Sequence, residues 1–315
     1  VPWLKGNTHA HTDNSDGDAP LEEVAGWYQA RGYDFLFVTD HNVVTDVAAW
    51  NRANHPLLLI PGCEMSLFSE GKPVHVNSLG SPVRPKLPRA DTIALALQRE
   101  VDAARAAGGI PQVNHPNYRW AFTDVEMRAV LGSYLLEILN ASTECNNFGG
   151  DGRPGVEEIW DRLLGAGQRV WAVASDDAHH FRGNCSGHQS LPGGGWVVVR
   201  ARERSAAAVL DALERGDFYA STEVTLREIE SRDGAIALHI APEHDYRYTT
   251  HFIGSGGRVL AAVGGLEPLY RPRGDESYVR AKVLSSNGGA AWTQPRFLPY
   301  NAVCTRKGRC EGILI

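Results

Sequence analysis

The chain has no apolar run approaching the roughly 18 residues that a membrane-spanning helix requires. It also has no excess of basic charge: 31 lysines and arginines stand against 37 aspartates and glutamates, a formal net charge of −6. The first absence excludes a helical membrane span, and the second excludes a general grip on nucleic acid, which needs a basic face. Cysteine is sparse, with five in 315 residues, and no C-x-x-C pair occurs, so a zinc knuckle is not expected. Missing too are a G-x-S-x-G nucleophile elbow, internal repeats and low-complexity tracts. No signal-peptide pattern is present, but the chain opens at Val1 rather than at a methionine, so a removed leader is an expectation. Cys304 and Cys310 bracket "CTRKGRC" and are read either as a disulfide or as two free thiols. Leader and disulfide together favour a periplasmic or secreted location over a cytoplasmic one.

What is present reads as α/β. Short apolar runs such as "DFLFVTDH", "LLLIPGCEMS", "VHVNSLG", "GGIPQVNHP", "LLEILNAS" and "RVWAVASDDAHH" each end in a polar cluster. Between several of them lie segments of helical spacing. One covers 20–31 with Pro20 at its start and Gly32 as a stop; another begins at an expected Asp91 cap and ends at Gly108 and Gly109. Near-continuous apolar strands alternating with helices predict a parallel α/β architecture. Polar residues gathered just after the strands are expected of a β/α barrel, whose chemistry sits at the C-terminal ends of its strands. After about Phe218 the pattern alternates apolar and polar residues between Gly-rich turns, with "GSGG" at 254–257 read as a hairpin turn. The expected division is a barrel over 1–220 and a small antiparallel, sandwich-like β domain over 221–315.

The chemistry concentrates in the first part. "GNTHAHTDNSDG" places His9 and His11 two residues apart, so that on a strand both imidazoles face the same side. In order, the candidate metal ligands are His9, His11, Asp16, His41, Glu64, His75, His115, Asp177 and His179. Imidazole and carboxylate without thiolate suit zinc, manganese or iron, and favour a hydrolytic site over a structural one. Cations bound there would lower the pKa of a bound water and stabilise charge on the electrophile. Weaker candidates surround this set. His180 is placed to protonate a leaving group, and Arg119 and Arg182 to clamp an anionic substrate. Asp40 is read as orienting a ligand imidazole. Glu144 and Asn146 are read as lining the pocket, and Trp120 and Phe122 as an apolar wall.

"HAHT…SDG", "GYDFLFVTDHN", "IPGCEMS", "HVNSLG", "NHP" and "SDDAH", in this order, resemble the PHP (polymerase and histidinol phosphatase) family over about residues 3–220. With "GDFYASTEV" and "YVRAKV…AWTQPRFL", the whole chain is similar to the carbaryl-hydrolase (CehA/McbA) group. The resemblance implies a distorted seven-stranded β/α barrel with a two- or three-metal site. It implies a first metal on His9, His11, Glu64 and Asp177, with Glu64 bridging to a second that adds His75 and His115. A third would take Asp16, His41 and His179. Asp16 stands where some relatives have histidine, and Asp176 where many have serine; Asp177 is chosen over Asp176 for its D-x-H spacing to His179. The implied activity is a metal-dependent hydrolase using a metal-activated hydroxide, first a phosphoesterase acting on a small anionic substrate. A carbamate or carboxylic ester hydrolase is the alternative, and a non-catalytic binding or scaffold protein is an alternative of another class.

Overall fold

The computed structural model describes residues 1–87, 89–183, 189–232 and 234–298, so Cys304 and Cys310 lie outside the described residues. The first part carries strands β1 (Trp3–Asn7), β2 (Phe35–Val38), β3 (Leu58–Ser69), β4 (Lys72–Leu79), β5 (Ile110–Val113), β6 (Tyr134–Asn140) and β7 (Val170–Ser175). Helices α1 (Leu21–Ala30), α2 (Ala48–Arg52), α3 (Ile93–Ala106), α4 (Asp124–Met127) and α5 (Val156–Gly165) connect them. Then come β8 (Trp196–Arg200), α6 (Ala206–Arg215) and β9 (Phe218–Ser221). The remaining strands are β10 (Leu226–Arg232), β11 (Ala235–Ile240), β12 (Tyr248–Gly254), β13 (Arg258–Gly264), β14 (Leu269–Tyr270), β15 (Tyr278–Ser285), β16 (Ala290–Thr293) and β17 (Arg296–Phe297).

The architecture is α/β. One large sheet runs β13-β12-β15-β16-β9-β8-β1-β2-β3-β4-β5-β6-β7, and β10-β11-β14 form a smaller one. Pairing is parallel from β1 through β2 to β3 and from β5 through β6 to β7. The parallel expectation fails in the middle, where β4 runs antiparallel to both β3 and β5. The cause is local: Ser69 pairs with Lys72, and the two residues between them, Glu70 and Gly71, both have positive φ (52° and 72°). That is the backbone of a tight two-residue hairpin, which reverses the chain at once. The "GSGG" segment likewise closes the β12–β13 hairpin through a single 3₁₀ turn, Ser255–Gly257.

The strands near the centre are apolar along their whole length because both faces are covered; every residue of β2, "FLFV", is buried. Helices α1 and α5 start without a side-chain cap and carry acids in their first turns, whereas α3 and α4 start at a capping threonine. Thr92, not Asp91, caps α3: its backbone is extended and its hydroxyl accepts from Leu95 N at 3.3 Å. Thr123 caps α4 in a box closed by Glu126. On the outer layer, the fully buried Trp160 of α5 packs into the core and donates its indole N–H to Val170 O at 2.9 Å. The buried Arg280 of β15 reaches α5, donating to Asp161 through Nε (2.8 Å) and Nη2 (2.6 Å) and to Glu157 through Nη2 (2.9 Å).

Candidate metal centre

The nine proposed ligands reach one place by three local devices. The first is the strand end. Beyond β1 the chain carrying His9 and His11 lies between the ends of β2 and β7: Thr39 N donates to Ala10 O and His11 N to Ala178 O, each at 2.9 Å, and Ala10 bridges Ala178. His41 follows β2, His115 follows β5, and Asp177 and His179 follow β7. The second device is the hairpin register. Glu64 pairs with Asn77 and Ser66 with His75, and alternation therefore puts Glu64 and His75 on one face. The third is backbone curvature: His115 (φ 26°) and Asp177 (φ 50°) both adopt left-handed geometry, uncommon for residues with a Cβ.

The result is three overlapping groups whose ligand atoms lie within 4.8 Å of one another: His9, His11, Glu64 and Asp177; Glu64, His75 and His115; and His11, Asp16, His41 and His179. Glu64 Oε2 stands 3.2 Å from His9 Nε2, 3.3 Å from His11 Nε2 and 2.9 Å from His41 Nδ1. Its Oε1 stands 3.2 Å from His75 Nδ1 and 3.3 Å from His115 Nε2. Asp177 Oδ1 lies 3.1 Å from both His9 Nε2 and His11 Nε2, and Asp16 Oδ1 lies 3.2 Å from His179 Nε2. Asp176, the neighbour of Asp177, belongs elsewhere: it accepts from Tyr28 Oη and from Gly194 N and Gly195 N.

Whether these residues fit metal ions can be tested on the unused atoms. His9 Nε2, Glu64 Oε2 and His75 Nδ1 are buried and have no hydrogen-bond partner. Such atoms are costly unless something binds them. The field is hungry for positive charge. Burial opposes protonation of His9, yet Asp177, Glu64 and Glu137 outweigh it and hold its pKa well above the ordinary imidazole value. His179 goes the same way, up to about 9, with burial opposed by Asp16 and Asp177. Divalent cations meet the same demand by displacing those protons. The ring tautomers agree. His9 Nδ1 donates to Glu137 Oε1 (3.0 Å) and His179 Nδ1 to Asp177 O (2.8 Å), leaving both Nε2 atoms as lone-pair donors. The donor set fits.

Glu137 was not among the sequence candidates. It is fully buried on β6, where Oε1 accepts from His9 Nδ1 and Ser175 Oγ, and Oε2 from His115 N (2.8 Å) and Asn140 Nδ2 (2.9 Å). Asn114 and Asn140 were missed as well; they donate to Glu64 Oε1 (2.9 Å) and Asp177 Oδ2 (3.0 Å). A signal existed for Glu137, the single charge within the otherwise apolar "YLLEIL".

Above the ligands opens a cavity of about 330 Å³ whose wall includes Tyr118, Ser142, Glu144, Cys145, His180 and Ser190. His180 accepts from Ser190 N at Nδ1 (3.2 Å), so Nε2 carries the proton of the neutral ring. Neither Arg119 nor Arg182 lines this cavity. The Arg119 guanidinium lies 5.3 Å from the centroid of the Tyr118 ring, and Arg182 is engaged by Glu23, Nη2 to Oε2 at 2.8 Å. Among the described residues no lysine or arginine faces the cavity. The other readings need correction too. Asp40 touches no imidazole; it accepts from Thr12 N (2.7 Å), Ser15 Oγ and Thr45 Oγ1, and so pins the His11 loop instead. Phe122 is in the core, Trp120 lies under the Arg153 guanidinium, and Asn146 donates to Asn117 O.

No protein-family model and no curated protein matches the chain. Solved structures do. A two-domain protein from Bacteroides vulgatus, described as containing a predicted PHP-like metal-dependent phosphoesterase, aligns with TM-score 0.51 at 15% identity, covering 94% of this chain and 88% of that one. A candidate metal-dependent phosphoesterase from Bifidobacterium adolescentis (TM-score 0.41, 15% identity) covers 61% of this chain and 93% of that one. An amidohydrolase from Chromobacterium violaceum with bound sulfate and no metal (TM-score 0.40, 16% identity) covers 59% and 92%. At such identities the first likeness speaks to the fold alone, and the other two carry no argument.

Proposed function

We propose that this chain is a metal-dependent hydrolase of the PHP type, in its carbaryl-hydrolase-like branch, with a phosphoester as its first substrate class. The observation that carries the reading is the convergence of nine imidazole and carboxylate side chains in three overlapping groups, with orphaned buried donor atoms between them. His9, His11, Glu64 and Asp177 would hold one divalent zinc, manganese or iron ion, Glu64 with His75 and His115 a second, and Asp16, His41 and His179 a third. Ions bound there would make a water nucleophilic near neutral pH and stabilise charge building on the electrophile's oxygen.

The chain's own groups do the rest. Glu64 presents one oxygen to each side of the centre and sets the spacing of the two inner groups. Glu137 and Asn140 hold His9, the His115 backbone and Asp177 in place, so no reorganisation is needed at the moment of reaction. His180, with its proton on Nε2, is a group on the wall able to donate a hydrogen bond to a leaving oxygen or nitrogen. Among the described residues the wall carries no lysine or arginine, which favours a second reading, hydrolysis of an uncharged carbamate or carboxylic ester. In either case residues 1–220 supply the chemistry and residues 221–315 a stabilising β domain.

The test is Glu64→Gln. An amide is a poor bridge, so the variant should lose most turnover and part of its metal. Full metal content with wild-type turnover would refute the role. A screen of the metal-loaded wild type on phosphomonoesters, phosphodiesters, carboxylic esters and carbamates then decides between the two bond types. A chain that binds no metal and turns over none of them is a binding protein instead.

A further inference from the structure

A second cavity, of about 320 Å³, shares no lining residue with the metal centre. It lies where β1 and the start of β8 meet loops of the C-terminal strands, and its size suits a small molecule. At its inner side the Lys5 ammonium sits 3.9 Å from the centroid of the Trp196 ring and 4.1 Å from that of Tyr33. The two rings hold the charge in position but accept none of its three N–H bonds in the ordinary way. Among the described residues Lys5 Nζ makes no hydrogen bond or ion pair. Burial lowers its pKa, against the attraction of Asp176 and Asp34, so the charged form is short of stabilisation. An unsatisfied cation at the inner side of a polar cavity is a receptor for a carboxylate.

The outer side has the opposite sign. Glu223 and Glu243, both exposed, stand on the lining, and no second cation accompanies Lys5 among the lining residues described. A simple anion must pass two carboxylates, and a simple cation meets Lys5. A ligand carrying both charges is repelled by neither. We propose that this cavity binds a small zwitterion of the amino-acid class, its carboxylate inward on Lys5 and its ammonium outward toward Glu223 and Glu243. The inference does not depend on the hydrolase reading.

Calorimetric titration of the full, metal-loaded chain with γ-aminobutyrate, butyrate and butylamine tests it. γ-Aminobutyrate should bind saturably at one site per chain, with butyrate and butylamine each at least about tenfold weaker, the size of one charge-assisted contact. Lys5→Met should abolish that binding while leaving hydrolysis unchanged, and Glu64→Gln should leave the binding intact. Should Lys5→Met fail to fold, the surface double variant Glu223→Gln/Glu243→Gln serves: γ-aminobutyrate should weaken and butyrate should tighten. The proposal is overturned by an absence of saturable γ-aminobutyrate binding, by binding that survives Lys5→Met, or by binding lost in Glu64→Gln, which would place the carboxylate at the metal centre. It is equally overturned if the double variant shifts neither ligand.

Discussion

Replacing Glu137 by Gln changes one atom and no volume, yet the hydrogen-bond pattern makes it a severe change. Both carboxylate oxygens act as double acceptors: Oε1 takes His9 Nδ1 and Ser175 Oγ, and Oε2 takes His115 N and Asn140 Nδ2. A glutamine offers one oxygen and one NH₂ group. Whichever way it flips, the NH₂ meets a donor it cannot accept from: His9 Nδ1 on one side, where only the Ser175 hydroxyl can turn to accept, or His115 N and Asn140 Nδ2 on the other. If the NH₂ faces His9, the imidazole loses the acceptor that keeps its proton on Nδ1 and its lone pair on Nε2. If it faces the other side, the backbone at His115 and the amide that orients Asp177 are released. Either way a ligand to the proposed inner pair is misdirected. Losing a partner of this kind typically weakens metal binding about 10- to 100-fold, or about 1.4–2.8 kcal/mol. The assay is competition with a chromogenic chelator, read as metal retained per chain at each chelator concentration. Thermal melting with and without added metal runs alongside, so that a folding defect is seen separately. Glu137→Gln should fold and release its metal at lower chelator concentration than wild type. Wild-type retention in a folded variant would refute the reasoning and reduce Glu137 to a satisfied core acid.

Three further outcomes follow from particular contacts. Arg182→Ala should leave KM for a phosphate ester and for a neutral ester within about twofold of wild type, because the guanidinium is on Glu23 and off the cavity wall. A tenfold KM rise confined to dianionic esters would restore it as a clamp. Arg280→Met should destabilise the chain by roughly 3–5 kcal/mol in urea unfolding, since it strands the buried Asp161 carboxylate against α5; a loss below 1 kcal/mol would mean water or another cation reaches Asp161. Glu100 is fully buried with both oxygens unpartnered, and burial, with the nearby Glu64 charge, pushes its pKa well above 4.5. A folded pKa above the unfolded one means the acid costs stability only once pH exceeds about 4.5, increasingly so up to the folded value. Glu100→Met should therefore raise the melting temperature at pH 8 and change it far less at pH 4, and an equal gain at both would show that packing rather than charge is responsible.

The α/β class was legible in the sequence because it rests on local rules. A strand covered on both faces must be apolar throughout, as "FLFV" is, and the chain must turn polar where it leaves the sheet, as it does at His41, His115 and Asp177. Eight of the nine candidate ligands stand in or just beyond an apolar run, whereas Asp16 lies in the polar loop after β1. Their distances were not legible. Only the tertiary structure decided that β3 and β4 reverse through Glu70 and Gly71, so that His75 shares a face with Glu64. It also decided that Arg182 is drawn to Glu23 across 159 positions of sequence and that Arg119 is held on Tyr118, so that neither of the cations their sequence neighbours promised is on the cavity lining. Glu137 is the clearest case. A single acid inside an apolar strand is, by composition, either a mistake to be neutralised or a group with waiting donors. Those donors come from His9, His115, Asn140 and Ser175, four places that periodicity cannot bring together and the fold does.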